Sequence, residues 1–362
     1  MSDGSTENIE MTAGLDLGDQ YSYLYVLDTE SGELVEEGRL RTTPDGLLRR
    51  FDSERKLKVA IEVGTHSTWV SRILEGCGHE VLVANPRKTR LIYAGKRKTD
   101  KLDAQKLARL ARADPELLYP VGHRGEESQA HLALIHSRDA LVRSRTQLIN
   151  HVRGTVKSFG ARLPKCSAES FHRKAADALP SKLAETLEEV VETIGSLTET
   201  IRDYERRIER LCEQSYPQET GLLRQVPGVG AITSLSFVLT LEDPDRFEKS
   251  RSVGAYLGLV PGKDQSGQSD PGRPISGEGD EMLRRLLVGS AHYILGPFGP
   301  DSDLRRHGEK IALRGGKNAK KRAVVAVARK LSVLLHRLWI TGEAYDPLRN
   351  ARSAGTLGEE AA

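Results

Sequence analysis

The chain has 362 residues, 29% of them charged and 38% hydrophobic, with 54 Lys and Arg against 51 Asp and Glu for a net charge of +3. That length accommodates two or three domains with cores of their own, and no apolar run reaches membrane-spanning length. Cys77, Cys166 and Cys212 are widely separated and odd in number, which argues against a disulfide framework or a thiolate metal site.

The first eleven residues are polar, without a signal-peptide pattern, and read as a disordered leader of a soluble, cytoplasmic protein. Residues 14–18, Gly-Leu-Asp-Leu-Gly, begin a strand that holds one acid, Asp16, in an apolar setting. Alternation predicts strands over 21–27 and 34–41, a helix over 44–51, a strand over 58–63, a helix over 67–75 and a strand over 80–84. A helical basic stretch runs from Arg87 onward. Three strands followed by alternating helix and strand give a mixed sheet with helices on its faces, the order of an RNase H-like (RuvC-like) α/β domain over residues 12–118.

Arg87 to Arg112 carries ten Lys and Arg, and its two acids are Asp100 and Asp103. Three apart, they share one helix face, and Thr99 before them reads as an N-cap. Capping is one account of the pair. The other joins them to Asp16 and to Glu62 at the end of the fourth strand, because these positions meet at one end of an RNase H-like sheet. Four such carboxylates need a counter-charge. An all-oxygen ligand set suits Mg²⁺ or Mn²⁺, and two ions roughly 3.5–4 Å apart would clamp the attacking and leaving oxygens of a phosphodiester. Lys96, Arg97, Lys98 and Lys101 would then hold the phosphates. The Gly14–Gly18 segment also resembles the phosphate loop of actin-like kinases, but no further nucleotide loops follow.

Residues 124–217 read as a helical region. Leu183, Leu187, Val190, Ile194, Leu197, Ile201, Tyr204, Ile208 and Leu211 alternate steps of four and three, a heptad seam. An intramolecular hairpin and an oligomerising coiled coil both satisfy it, and the clean register favours dimerisation. Residues 218–345 form a mainly α domain, and 346–362 a polar tail. Val226-Pro-Gly-Val-Gly230 between two apolar helical stretches has the helix-hairpin-helix pattern, in which Gly228 and Gly230 admit a phosphate to helix amides. A glycine-rich stretch containing Ser266 follows, then a helix over 281–293 with Arg284 and Arg285 near its start. Arg305 to Lys330 is a second basic block, ten cations against Glu309 alone, and includes Lys317, Lys320, Lys321 and Arg322. Two such blocks point to a nucleic-acid partner, and hence to nucleoid association.

Taken in order, the motifs resemble those of the DEDD transposases of the insertion-sequence "one-ten" class, bridge-RNA-guided recombinases related to Piv-type DNA invertases. The motifs are Gly-Leu-Asp at 14–16, Ile-Glu-Val-Gly-Thr at 61–65, Asn-Pro at 85–86, Lys-Thr-Asp-Lys-Leu-Asp-Ala at 98–104, Val-Pro-Gly-Val-Gly at 226–230, Arg-Phe at 246–247, Tyr-Leu-Gly-Leu-Val-Pro at 256–261, Ser-Gly at 266–267 and Leu-Arg-Arg at 283–285. The resemblance implies that Asp16, Glu62, Asp100 and Asp103 are the metal tetrad. It also implies that Ser266 is a nucleophile forming a phosphoserine link to DNA, with Ser269 and Ser276 as nearby competitors. Donor and target DNA, a structured non-coding bridge RNA, and a dimer or tetramer with composite active sites are the implied partners. One departure stands at Gly277-Glu278-Gly279, where the family usually carries a cation. Two rival readings are a Holliday-junction nuclease using metal-activated water and a non-catalytic nucleic-acid scaffold.

Overall fold

The computed structural model describes residues 9–89, 99–262 and 273–350. They fall into two compact units divided between Arg124 and Gly125.

The N-terminal unit is built on a five-stranded sheet, β1 (Met11–Asp16), β2 (Tyr21–Asp28), β3 (Leu34–Arg41), β4 (Leu57–Glu62) and β5 (Glu80–Ala84), in the order β3-β2-β1-β4-β5. β1 to β3 form an antiparallel meander, while β4 and β5 run parallel to β1. This is the mixed sheet expected from the sequence. Side-chain alternation divides it into two faces. Ala13, Leu15, Val59 and Ile61 pack with Leu47 and Phe51 of α1 (Pro44–Phe51) and Val70 and Leu74 of α2 (Ser67–Gly76). On the other face Ala60, Ala84, Tyr25 and Leu27 meet Ala104, Leu107, Ala108 and Ala111 of α4 (Asp100–Ala113). The helix predicted from Arg87 is divided: α3 (Pro86–Thr89) is one turn, and α4 starts at Asp100 behind its Thr99 cap.

The C-terminal unit is helical: α5 (Glu126–Ser158), α6 (Phe171–Ala176), α7 (Ser181–Gln214), α8 (Pro217–Leu223), α9 (Ala231–Leu241), α10 (Arg251–Tyr256), α11 (Glu281–Leu295), α12 (Asp303–Ala312) and α13 (Ala319–Thr341). α5 and α7 form an antiparallel pair. Ile149, Val152 and Val156 at the end of α5 meet Leu183, Leu187 and Ile194 at the start of α7, and Leu132 and Ile135 meet Ile208 and Cys212 at the far end. Of the heptad seam expected to favour dimerisation, Leu183, Leu187, Ile194, Ile201 and Ile208 are buried within the chain, with Phe171 and Ala175 of α6 adding to the cover, while Val190, Leu197, Tyr204 and Leu211 are half-buried. The core of the rest is centred on α9, whose residues 233–241 are all buried, and on the inner face of α13. No described helix is long and apolar enough to cross a membrane.

Candidate active site

Leu15 pairs with Ile61 in the parallel register of β1 and β4. One residue further, Asp16 and Glu62 end their strands side by side, on strands about 4.8 Å apart. Both lie on the α4 face, since their neighbours Leu15 and Ile61 point to the opposite core. Each is half-buried and engaged by other groups.

Helix α4 crosses the same face antiparallel to β1. At its C-terminal end, Arg112 donates to the carbonyls of Thr29 (2.9 Å) and Glu30 (2.8 Å), just past the β2 residue that pairs with Met11. Further back, Gln105 donates to the hydroxyl of Tyr25 (3.0 Å), the residue that pairs with Gly14. Continuing toward the helix start leads to Asp103 and Asp100, at the Asp16 end of the strand. Close seating makes this possible: a Cβ on Gly14 would stand 2.0 Å from the carbonyl oxygen of Ala104 and 2.5 Å from the nitrogen of Ala108. Only glycine lets the helix backbone lie so near the strand.

The first turn of α4 is well formed. The Thr99 hydroxyl accepts from the Leu102 amide at 3.3 Å, and acids there suit the positive end of the helix. Asp103 is held by Lys106 at 3.1 Å, and Asp100 is exposed. Capping thus accounts for this turn in the structure, and the same turn carries the two acids of the expected tetrad. The four oxygen donors suit a hard divalent cation. Among the described residues, no three His, Cys, Asp or Glu close to the spacing that would hold a metal ion between them.

Sequence reasoning missed one feature of this end. The loop after β1 and the loop after β4 are joined by Asp19 and His66, 3.5 Å apart. The indole N–H of Trp69 donates to His66 Nδ1 at 3.2 Å, which places the imidazole proton of the neutral ring on Nε2, facing the Asp19 carboxylate. Ser67 braces the turn, accepting from the Gly64 amide and donating to its carbonyl. A histidine three residues before a tryptophan, just after a strand-ending acid, was the available signal.

Lys96, Arg97, Lys98 and Ser266, with Ser269, lie outside the described residues. Of the expected phosphate contacts here, Lys101 is instead bonded to Glu37 on β3 at 2.6 Å. The ends of the serine segment are well placed: Pro261 bridges Ile275, the Gly262 amide donates to Pro274 O at 2.9 Å, and the Ser276 amide to Val260 O at 2.8 Å. Just past this short antiparallel stem, Gly277 takes φ of +66° with open space around its Cα. Gly279 has φ of +73°, and a Cβ there would lie 2.1 Å from the Tyr256 carbonyl oxygen.

Other expected nucleic-acid contacts have structural employment. Arg284 donates to the carbonyls of Leu257 (3.0 Å) and Glu278 (2.7 Å), tying both sides of the stem to α11. Arg285 pairs with Asp139 of α5 at 2.7 Å. Gly228, at φ +89°, makes room for Tyr293 and the Ser290 carbonyl of α11, whereas Gly230 caps α9 at the surface. Lys317, Lys320, Lys321 and Arg322 are exposed around the start of α13, with Arg322 donating to Gly315 O at 3.1 Å.

Acids at the ends of two parallel strands, two more in the first turn of the helix that covers the same face, and a separate helical unit are the makings of a DEDD transposase. Comparison with known proteins agrees. Residues 13–160 match the transposase profile of the IS110 DEDD type, and residues 220–301 match that described as "Transposase IS116/IS110/IS902 family". The chain is 30% identical over 282 residues to the transposase for insertion sequence element IS1111A of Coxiella burnetii, covering 76% of this chain and 75% of that one. It is 30% identical over 287 residues to the transposase for insertion sequence element IS1328 of Yersinia enterocolitica, covering 78% and 83%. The chain belongs to the IS110/IS116/IS902 family of transposases, DNA-binding, DNA-cleaving enzymes whose DEDD domain uses divalent metal ions.

Proposed function

We propose that Asp16, Glu62, Asp100 and Asp103 act together on two Mg²⁺ (or Mn²⁺) ions and that Ser266 is the nucleophile in DNA strand cleavage and rejoining. The observation that carries the tetrad is the parallel register setting Asp16 beside Glu62, on the face and at the end of the sheet toward which the first turn of α4 points. When bound, the metal supplies Lewis acidity that lowers the proton affinity of a hydroxyl and offsets charge on the phosphate. The chain supplies the rest. The carboxylates orient the site, His66 and Asp19 hold the two loops behind Asp16 and Glu62 together, and the stem presents the serine segment. In the transfer, the Ser266 Oγ–P bond forms as the P–O bond to the deoxyribose breaks, and the departing oxygen takes up a proton. The phosphoserine link keeps the bond energy for rejoining without ATP.

In this reading a structured bridge RNA pairs with donor and target DNA, so that base pairing reads sequence while basic surfaces hold backbones. The RuvC-like domain, the α5–α7 hairpin as a coiled-coil arm of a dimer or tetramer, and the exposed Gly230 end of a helix-hairpin-helix complete it, in a nucleoid-associated protein. Incubating the protein and end-labelled donor DNA with Mg²⁺ is expected to give a protein–DNA adduct that survives denaturation. Ser266→Ala should abolish both adduct and cleavage, and Asp16→Asn should reduce cleavage at least a hundredfold. Cleavage by Ser266→Ala at the wild-type rate would overturn the serine assignment in favour of metal-activated water. Sequencing the RNA that co-purifies with the protein tests the guide.

A further inference from the structure

The C-terminal unit contains a groove of about 1240 Å³, larger than the ~300–1,000 Å³ of ordinary small-molecule sites. Its floor is one face of α13. Two rows run along it with a step of four: Lys321, Val325, Arg329, Val333, Arg337, and Arg322, Ala326, Lys330, Leu334, Leu338. In the first row cations recur every eight residues, about 12 Å along the helix, with small aliphatic side chains between them. The same alternation places Arg322 and Lys330 in the second row. The walls are the α12 segment around Leu304 and His307, the chain at 344–350, and the foot of the stem at Pro261, Pro274 and Ile275.

Of the eight cations lining this groove, Arg337 and Arg349 pair with Glu343, Arg322 donates to Gly315 O and Arg273 is engaged by other groups, which leaves four. Among the described residues, Arg251, Lys321, Arg329 and Lys330 have no acidic partner within ion-pair distance. The two acids of the lining are engaged by backbone: Asp303 accepts from the Asn350 amide at 2.8 Å and Asp346 from the Leu348 amide at 3.1 Å. Burial, reinforced by Lys330, Arg314 and Lys310, lowers the His307 imidazole below its ordinary range. The groove is thus an anion site with an apolar floor.

We infer that this groove holds an unpaired stretch of the DNA being recombined, phosphates on the two cation rows and bases against the aliphatic floor between them. The inference rests on the transposase reading and adds a binding surface and a strand state to it. Duplex DNA offers phosphate and sugar to a walled groove and keeps its base faces stacked inside, leaving the aliphatic residues without a partner. An unpaired strand offers both chemistries along one line. Its position at the foot of the stem puts that strand beside Pro261, Pro274 and Ile275, described residues that flank the serine segment in the chain.

The test is fluorescence anisotropy on the full-length protein with a 5′-labelled mixed-sequence single-stranded DNA 20-mer, the same strand annealed as duplex, and its RNA equivalent. The Ser266→Ala protein serves as host, so that binding is read without cleavage. Lys321→Ala/Lys330→Ala is expected to weaken single-strand DNA binding at least tenfold and to reduce the salt slope by roughly 1.4, at about 0.7 for each phosphate no longer neutralised. Val325→Thr/Val333→Thr keeps shape and charge, and should weaken single-strand binding about threefold or more while leaving duplex binding unchanged. Unaltered single-strand affinity in both variants, or equal losses on duplex and single strand, would overturn the inference. RNA bound at least tenfold tighter than DNA in a groove-dependent way would assign the surface to RNA and overturn it as well. Normal groove binding alongside a Ser266→Ala protein that still cleaves would refute the serine mechanism and leave the groove standing.

Discussion

In the N-terminal unit, the acidic side chains are placed by hydrogen-bond register. Once β1 and β4 pair in parallel, Asp16 and Glu62 must be neighbours, and alternation decides which face they share. In the C-terminal unit the residues on either side of 263–272 meet in a stem with few ladder bonds, seated by backbone packed on backbone at Gly279 and by the guanidinium of Arg284. The first arrangement tolerates changes of side chain beside the acids, because the ladder is main chain. The second depends on particular residues whose own chemistry is silent.

Gly14 is where that distinction is tested most severely, because it brings packing constraint into the sheet. Gly14→Val would drive a Cβ into two backbone atoms of α4 that cannot rotate away. We expect a loss of about 3 kcal/mol or more, and of all cleavage, measured by thermal unfolding and a nicking assay. Wild-type melting of this variant would mean that α4 is seated elsewhere.

Gly279→Ala comes next. Left-handed backbone costs a non-glycine residue about 1–3 kcal/mol, and the contact with the Tyr256 carbonyl adds to it. Cleavage should fall by at least tenfold while the N-terminal unit keeps its proteolytic stability, which limited proteolysis can follow.

His79 offers a pH test confined to the N-terminal unit. It is buried, with Nδ1 accepting from the Leu57 amide at 3.1 Å and Nε2 donating to Phe51 O at 2.8 Å, an arrangement that requires the neutral ring. Burial lowers its pKa below the ordinary 6.5, and Lys56 and Arg50 act in the same direction. The unfolded chain therefore binds the proton more readily. This contribution to stability is complete above about pH 6.5 and is lost as pH falls from there through the folded value. Thermal midpoints measured between pH 7.5 and 5 should decline, with a shallower slope in His79→Gln.

The smallest effect belongs to Arg285→Ala. Its pair with Asp139 is partly exposed, and such pairs contribute about 0.2–1 kcal/mol. DNA affinity should change less than threefold, and a tenfold loss in a filter-binding assay would return Arg285 to the phosphate contacts.

How far the sequence discloses this structure follows from the range of the interactions involved. Alternation is local, so α1 and β5 fall on the expected residues, and the acid-bearing strand ends are legible from apolar neighbours that must point the other way. A heptad seam shows that an apolar stripe exists but not which surface covers it, and α5 and α6 cover its Leu183, Leu187 and Ile194 side. The partners that Arg284 and Arg285 have within the chain, the Leu257 carbonyl and Asp139, are not legible, because they are brought near only by tertiary packing. The groove is illegible for the same reason: its walls come from segments spread between Arg251 and Asn350.

The contact of α4 with β1 also has a mechanical meaning. The contact spans Ala104 to Ala108, near the middle of the helix, with Asp100 at one end and, at the other, Arg112 gripping the β2–β3 turn. Seated there on main-chain atoms, α4 has no slack at its centre, and a change at Gly14 displaces its acidic first turn and its far end together.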